Sequence, residues 1–208
     1  MAGNAFFISA FDLPGILTDL AAVGAVSVPL LTDAATQALH QAAASCDYTL
    51  EQSVYGTRDR RVKTDYGSFE LTAETGLLAE FQQAFQALLD RSLAQLETDP
   101  FSTPFCWNAA VLQRYTPGQL GITPHRDSLW AINLIALINL GGQAEFYRCD
   151  DRQGTGAVQL DTTPGNVIFL RAPGFLNSQV RPFHFLTNIR STRYSLGLRQ
   201  RSEPGRQV

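Results

Sequence analysis

The hydrophobic pattern changes character near residue 105. Before that point apolar residues recur mostly at helical spacing; after it they come in short runs cut by turn residues. Ala25 to Leu30 reads as a strand. Thr32-Asp33 reads as a helix start, with Leu31 before it and an alanine-rich run after it to Ser45. Asp47 to Tyr66 reads as strand and loop. Leu77, Phe81, Phe85, Leu88, Leu89, Leu93 and Leu96 then recur along one helix face, with Thr72 or Thr75 as the cap and Asp99-Pro100 as the end. Such a stripe is a packing face, so it predicts a helix that backs the main sheet.

From Phe105 onward the punctuation is Pro117-Gly118, Gly141-Gly142, Gly154-Thr155-Gly156, Pro164-Gly165 and Pro173-Gly174. Between these turns the pattern predicts strands near 107–115, 120–125, 130–139, 143–148, 157–161, 166–170, 180–187 and 193–200. That set suffices for a double-sheet jelly roll. The predicted class is α+β, a double-stranded β-helix (jelly roll, cupin-like) core with N-terminal helices packed against its major sheet. The 208 residues are expected to form a single domain, with 1–104 as a helical, lid-bearing N-terminal part and 105–201 as the jelly-roll core.

Composition narrows the function classes. Hydrophobic residues make up 45% of the chain and charged residues 17%, which suits an ordinary folded protein and not a disordered one. The net charge is -3, against the basic excess usual in nucleic-acid binders, although Arg58, Arg60, Arg61 and Lys63 form one local basic group. Cys46, Cys106 and Cys149 are odd in number and far apart, so they read as free thiols or small buried apolar groups. The N-terminal stretch has no basic region before its apolar residues, which argues against a signal peptide. The longest apolar run, Trp130 to Leu140, is too short to span a bilayer and holds two Asn. A soluble, cytoplasmic protein is expected. His40 falls within the first predicted helix and reads as a packing residue.

The candidate chemistry lies in His125-Arg126-Asp127, His184 and Arg193. In an extended strand residues i and i+2 point the same way, so His125 and Asp127 can face one metal while Arg126 faces elsewhere. His184 sits in another strand-like run, Arg181-Pro182-Phe183-His184-Phe185-Leu186. Two imidazoles and one carboxylate can cover one face of an octahedron and leave open positions, the pattern of non-heme Fe(II) oxygenases. Arg193 to Arg199 alternates in period two, with Arg193, Ser195 and Arg199 on one face and Tyr194, Leu196 and Leu198 on the other. Two cations on the face of a buried strand require an anion, and a dicarboxylate would serve. Lys63 is the only lysine and Ser191 and Ser195 lack a triad partner, so Schiff-base and serine-hydrolase chemistry have no good candidates.

The stretches Leu112-Gln113-Arg114-Tyr115-Thr116-Pro117-Gly118, His125-x-Asp127, Pro164-Gly165-Asn166-Val167-Ile168-Phe169, His184 and Arg193-x5-Arg199 occur in an order that resembles the Fe(II)/2-oxoglutarate-dependent dioxygenases, in particular the AlkB-like branch. The resemblance covers about residues 105–201. It implies Fe(II), 2-oxoglutarate as cosubstrate, and O2. It implies that His125, Asp127 and His184 bind the metal and form the catalytic centre. Arg193 would pair with the distal carboxylate of 2-oxoglutarate, and Arg199 would lie near the other one. Tyr115, Gln113 and Ser195 would complete the cosubstrate site. Halogenases of this group generally replace the metal carboxylate, so Asp127 favours hydroxylation or oxidative demethylation, with succinate and CO2 as coproducts. AlkB repair enzymes often carry an acidic residue two positions after the metal Asp; this chain has Leu129 there. The acidic charge and Leu129 together favour a small-molecule substrate over a nucleic-acid demethylase, and the intact ligand set argues against a non-catalytic binding module. Arg126, Trp130, Asn108 and Tyr66 are the candidate substrate contacts.

Overall fold

A computed structural model describes residues 6–57, 61–72 and 75–202. Eleven strands form one continuous antiparallel sheet in the order β1-β9-β6-β11-β4-β3-β5-β10-β7-β8, with β2 paired to β3. The strands are β1 Ala25–Pro29, β2 Thr49–Tyr55, β3 Val62–Glu70, β4 Ala109–Tyr115, β5 Gly121–His125, β6 Ala131–Gly141, β7 Glu145–Cys149, β8 Val158–Leu160, β9 Asn166–Arg171, β10 Phe183–Thr187 and β11 Arg193–Arg201. The helices are α1 Leu13–Val23, α2 Asp33–Ala44 and α3 Leu77–Leu93. β3 joins the two halves of the roll. Its C-terminal residues pair with β4, while Thr64 and Asp65 pair with β5.

The central strand β6 is buried along its whole length. Its side chains alternate between two cores. Leu134, Ala136, Ile138 and Leu140 meet the helices, where Leu20 of α1, Leu39 of α2 and Phe81, Phe85 and Leu89 of α3 are fully buried. Ile135 and Leu137 meet Phe146, Ile168 and Leu186 inside the roll. The helices therefore back the major sheet and leave the roll's interior free to hold polar groups at one end.

Each of the eight strands expected after residue 105 is present, with ends within a few residues of the pattern. The last approach to β10 is shorter than expected because Pro182 has no N–H to give to a ladder. Three expectations need correction. The helix α1 was not foreseen, although Asp12 caps Gly15 N and Gly24 closes the helix in a left-handed conformation. α3 starts after Gly76, not after a threonine cap; Thr72 and Thr75 bond each other in the preceding turn. It also ends at Leu93, and Leu96 reaches the core from a turn well before Asp99-Pro100. Thr32 does cap α2, through Ala35 N.

The N-terminal part is not purely helical, since β1, β2 and β3 all enter the sheet. Of the local basic group, Lys63 lies in β3, and Arg58 and Arg60 lie outside the described residues. His40 packs as expected, with Nδ1 on the Leu140 carbonyl and its ring edge-on to Tyr194. Among the described residues no helix is long and apolar enough to cross a membrane.

Candidate metal centre and cosubstrate cavity

Strands β5 and β10 bring the two histidines together. His125 and His184 are register partners, and their ring centroids are 4.3 Å apart. A glycine makes this pairing possible. Gly121 opens β5 at φ 85°, and a Cβ there would come within 2.3 Å of the Leu186 carbonyl oxygen. Only a residue without a side chain lets β10 lie this close. Asp127 follows β5, and its Oδ2 lies 3.5 Å from His184 Nε2. One ligand atom from each of His125, Asp127 and His184 lies within 4.8 Å of the others, close enough for one ion to draw them in.

Hydrogen bonds aim the ligand atoms. His125 Nδ1 meets the Thr123 carbonyl at 2.9 Å and His184 Nδ1 meets the Pro182 carbonyl at 3.3 Å. With Nδ1–H donated to a carbonyl, the lone pair is on Nε2, which is the tautomer a metal needs. Asp127 is held through one oxygen only. Arg199 Nε and Nη2 donate to Oδ1 at 3.2 and 3.1 Å. Oδ2 is buried and has no hydrogen-bond partner among the described residues. An orphaned carboxylate oxygen beside two imidazoles is costly unless a cation occupies the site, so these residues fit a divalent metal.

Protonation matches that reading. Burial, then the neighbouring His184, hold His125 far below the imidazole range, at about 3. Burial also lowers His184, against the pull of Asp127. For Asp127 burial acts upward, but Arg199, His184 and His125 outweigh it and hold the carboxyl at about 2. At neutral pH the site is two neutral imidazoles and one carboxylate, the forms that ligate metals.

Beside this cluster is a narrow, closely packed cavity of about 30 Å³. Leu137, Phe146 and Leu186 form its apolar walls, and Gln113, Tyr115, Arg193, Ser195 and Arg199 bring polar groups to it. Cross-strand pairing of β4 with β11 sets Tyr115 opposite Arg193 and Gln113 opposite Ser195, so four of the residues expected around a cosubstrate share one patch. Arg193 is only 2% exposed. It donates to Asn139 Oδ1 and lies over the Tyr115 ring, with no carboxylate in salt-bridge range among the described residues. Burial lowers it to about 10, with Tyr115 acting the other way, so it stays charged at neutral pH. A buried cation with no carboxylate partner among the described residues is suited to an anion such as a carboxylate.

The other expected residues are distributed differently. Tyr66 packs on Tyr115 at 5.3 Å and hydrogen-bonds Gln113, so it borders the cavity. Trp130 is 37% exposed with Arg201 over its ring. Asn108 uses its amide on the Arg201 backbone in both directions, which ties the end of β11. Arg126 points outward onto the Phe183 ring at 4.6 Å. Arg199 lines the cavity but its bonds go to Asp127, a role its alternation in the strand did not reveal. Asn139, which holds Arg193, was also missed; an amide inside the apolar run of β6 was the available signal. Arg181, which donates to the Asp127 carbonyl at 2.5 Å, carried no such signal.

No protein-family model matches the chain, and no curated protein matches it significantly. Solved structures do. A prolyl hydroxylase from Trichoplax adhaerens, in complex with a hypoxia inducible factor oxygen degradation domain peptide fragment, superposes with a TM-score of 0.66 at 13% identity, covering 89% of this chain and 87% of that one. A Pseudomonas putida prolyl-4-hydroxylase gives 0.65 at 15% identity, covering 92% and 100%. The dioxygenase for auxin oxidation 1 from Arabidopsis thaliana, as a complex with 2-oxoglutarate, gives 0.54 at 14% identity, covering 94% and 89%. The fold is thus the jelly roll that these 2-oxoglutarate oxygenases share. These neighbours are prolyl hydroxylases and an auxin dioxygenase, and they do not single out the AlkB-like branch.

Proposed function

We propose that the chain is a non-heme Fe(II)- and 2-oxoglutarate-dependent dioxygenase, a single catalytic domain that hydroxylates or oxidatively demethylates a small-molecule substrate and releases succinate and CO2. One observation carries this reading: a His-Asp-His cluster, half-buried at His125 and Asp127 and buried at His184, has an orphaned carboxylate oxygen and adjoins a cavity lined by a buried arginine with no carboxylate partner among the described residues. A metal and a dicarboxylate satisfy both at once.

His125, Asp127 and His184 would hold the iron. Bound iron would supply the O2 chemistry that couples decarboxylation of 2-oxoglutarate to oxidation of a C–H bond. The chain's own residues provide position and shielding. Arg199 keeps Asp127 ionised and turned so that Oδ2 is free. Arg193 takes the distal carboxylate of 2-oxoglutarate, with Tyr115, Gln113 and Ser195 as hydrogen-bonding neighbours. Leu137, Phe146 and Leu186 keep water from that end of the cosubstrate. Trp130, Arg126 and Tyr66 are assigned to the substrate side; Asn108 is left a structural part.

The fold of the neighbours supports the reaction class, and the prolyl hydroxylases among them support a second reading in which the oxidised group belongs to a peptide. AlkB-type nucleic-acid demethylation has less support: Leu129 is 66% exposed where an acidic base-reading residue would stand, and the chain is acidic overall. The test is an anaerobic titration with Fe(II) and 2-oxoglutarate, followed by O2 and a succinate assay over small molecules, peptides and methylated oligonucleotides. Absence of both metal-dependent 2-oxoglutarate binding and succinate would end the proposal.

A further inference from the structure

Two arginines converge outside the cavity just described, near the turn that carries Asp127, and a third lies within reach of their charge. Residues 183 and 185 alternate away from His184 and Leu186, which line the cavity, so they face the outer side of β10; Arg181, just before the strand, lines a separate recess with Asp127 and His184. On the outer side the guanidinium carbons of Arg126 and Arg152 lie 4.6 and 5.6 Å from the centre of one ring, Phe183. Arg181 feels the positive charge of both. It is anchored by Nη1 to the Asp127 carbonyl, 2.5 Å away. Among the described residues none of the three has a carboxylate within salt-bridge distance. Nη1 of Arg152 is closed off from solvent and has no hydrogen-bond partner.

Mutual repulsion should drive such side chains apart into water, where each guanidinium is best solvated. Stacking on Phe183 offsets part of that cost, but cation–π contact is weak and leaves the N–H groups of the ring-stacked cations unused. A dry, unpartnered N–H adds a further penalty. An anion resolves all three problems. The cluster is local, on a chain whose net charge is -3, so it does not reflect a generally basic surface.

We propose that Arg126 and Arg152, on the Phe183 ring, form a binding site for an oxyanion, a carboxylate or phosphate group, with Arg181 adding positive charge nearby, and that this group is the charged anchor of the small-molecule substrate. Assignment of the anion to a substrate rests on the dioxygenase reading above; the anion site itself does not. The Phe183 ring with its two stacked arginines lies on the opposite side of β10 from the cavity that Arg193 lines, so the site is separate from the cosubstrate cavity. Phe183 supplies a flat apolar face beside it for the part of the molecule next to the anion.

The first experiment is a calorimetric titration of inorganic phosphate at constant ionic strength, on the metal-free wild type and on Arg126→Gln, Arg152→Gln and Arg193→Gln. The proposal expects saturable binding that falls at least about tenfold in Arg126→Gln and in Arg152→Gln, as loss of a charge-assisted hydrogen bond does, and that persists in Arg193→Gln. No phosphate binding, or binding indifferent to Arg126 and Arg152, overturns it. Binding of a single-stranded oligonucleotide far tighter than phosphate and lost with the same arginines overturns the small-molecule assignment in favour of nucleic acid. The second experiment offers the iron-loaded enzyme matched pairs, each an acid and its neutral amide or ester, and reads succinate. Acids should stimulate it more than their partners, and the preference should collapse in Arg152→Gln; equal stimulation refutes the substrate assignment. If no compound yields succinate and 2-oxoglutarate does not bind, the dioxygenase reading fails while the phosphate titration still judges the anion site.

Discussion

Replacing Arg199 with Gln should weaken metal binding through a residue that donates to a ligand and does not itself ligate. The side chains of Asp127 and Arg199 are 14% and 15% exposed, so the pair is shielded from solvent. Both Arg199 donors go to Oδ1, and Oδ2 has none among the described residues. Burial alone would raise the Asp127 carboxyl, and Arg199 is the largest influence that brings it down to about 2. Removing one partner of a buried ion pair costs about 3–5 kcal/mol if the other stays charged. Asp127 escapes that cost by taking up a proton, which metal must then displace. The pKa of Asp127 should rise, and loss of an outer partner of a ligand typically costs about 10–100-fold in metal affinity.

The assay is anaerobic titration with Mn(II) or Fe(II) at about pH 6 and about pH 8, because an Asp with a raised pKa binds metal less well at the acid end. Arg199→Gln should show the larger loss at the lower pH, and Arg199→Lys should recover part of the affinity. Affinity within about twofold of wild type at both pH values would refute the idea that Arg199 tunes Asp127, since the observed geometry predicts at least about tenfold.

Three further outcomes follow from the same geometry. Arg193→Gln should raise the 2-oxoglutarate KM by at least about tenfold, through loss of a charge-assisted contact, yet leave the apo-protein as stable as wild type or more so, because it removes a buried cation that has no carboxylate partner among the described residues; thermal melts and cosubstrate titrations separate the two effects. The apo-protein should lose stability as pH falls from 6.5 towards 3. His125 is lowered in the folded state from 6.5 to about 3 and His184 is lowered too, so across that window the unfolded chain binds protons that the folded one refuses. Urea melts of wild type and His125→Gln should converge at the acid end; parallel curves would contradict the assignment of that slope to the imidazoles. Gly121→Ala should part β5 from β10, since the added Cβ meets the Leu186 carbonyl, and should reduce metal affinity with a loss of about 1–3 kcal/mol in unfolding free energy; wild-type metal titration in a folded variant would show that the strand contact does not set the site.

Local spacing was enough for a good deal of this protein. The stripe from Leu77 to Leu93 buries Phe81, Phe85 and Leu89 and half-buries Leu77, Leu88 and Leu93, because a helix repeats every 3.6 residues whatever it packs against. The turn pairs after residue 105 end the strands because glycine and proline change the backbone itself. The alternation of Arg193 with Ser195 likewise follows from a single strand's geometry, whereas Asp127 lies just beyond the end of β5. What spacing cannot contain is which strand lies beside which. The pairing of His125 with His184 depends on the β5–β10 register and on Gly121 allowing the two backbones to meet. Arg199 and Asp127, Asn139 and Arg193, and Arg126 and Arg152 on one Phe183 ring are all distant in sequence. Their partners were chosen by closure of the roll. Periodicity tells a side chain which face to take; only the assembled sheet decides what it meets there.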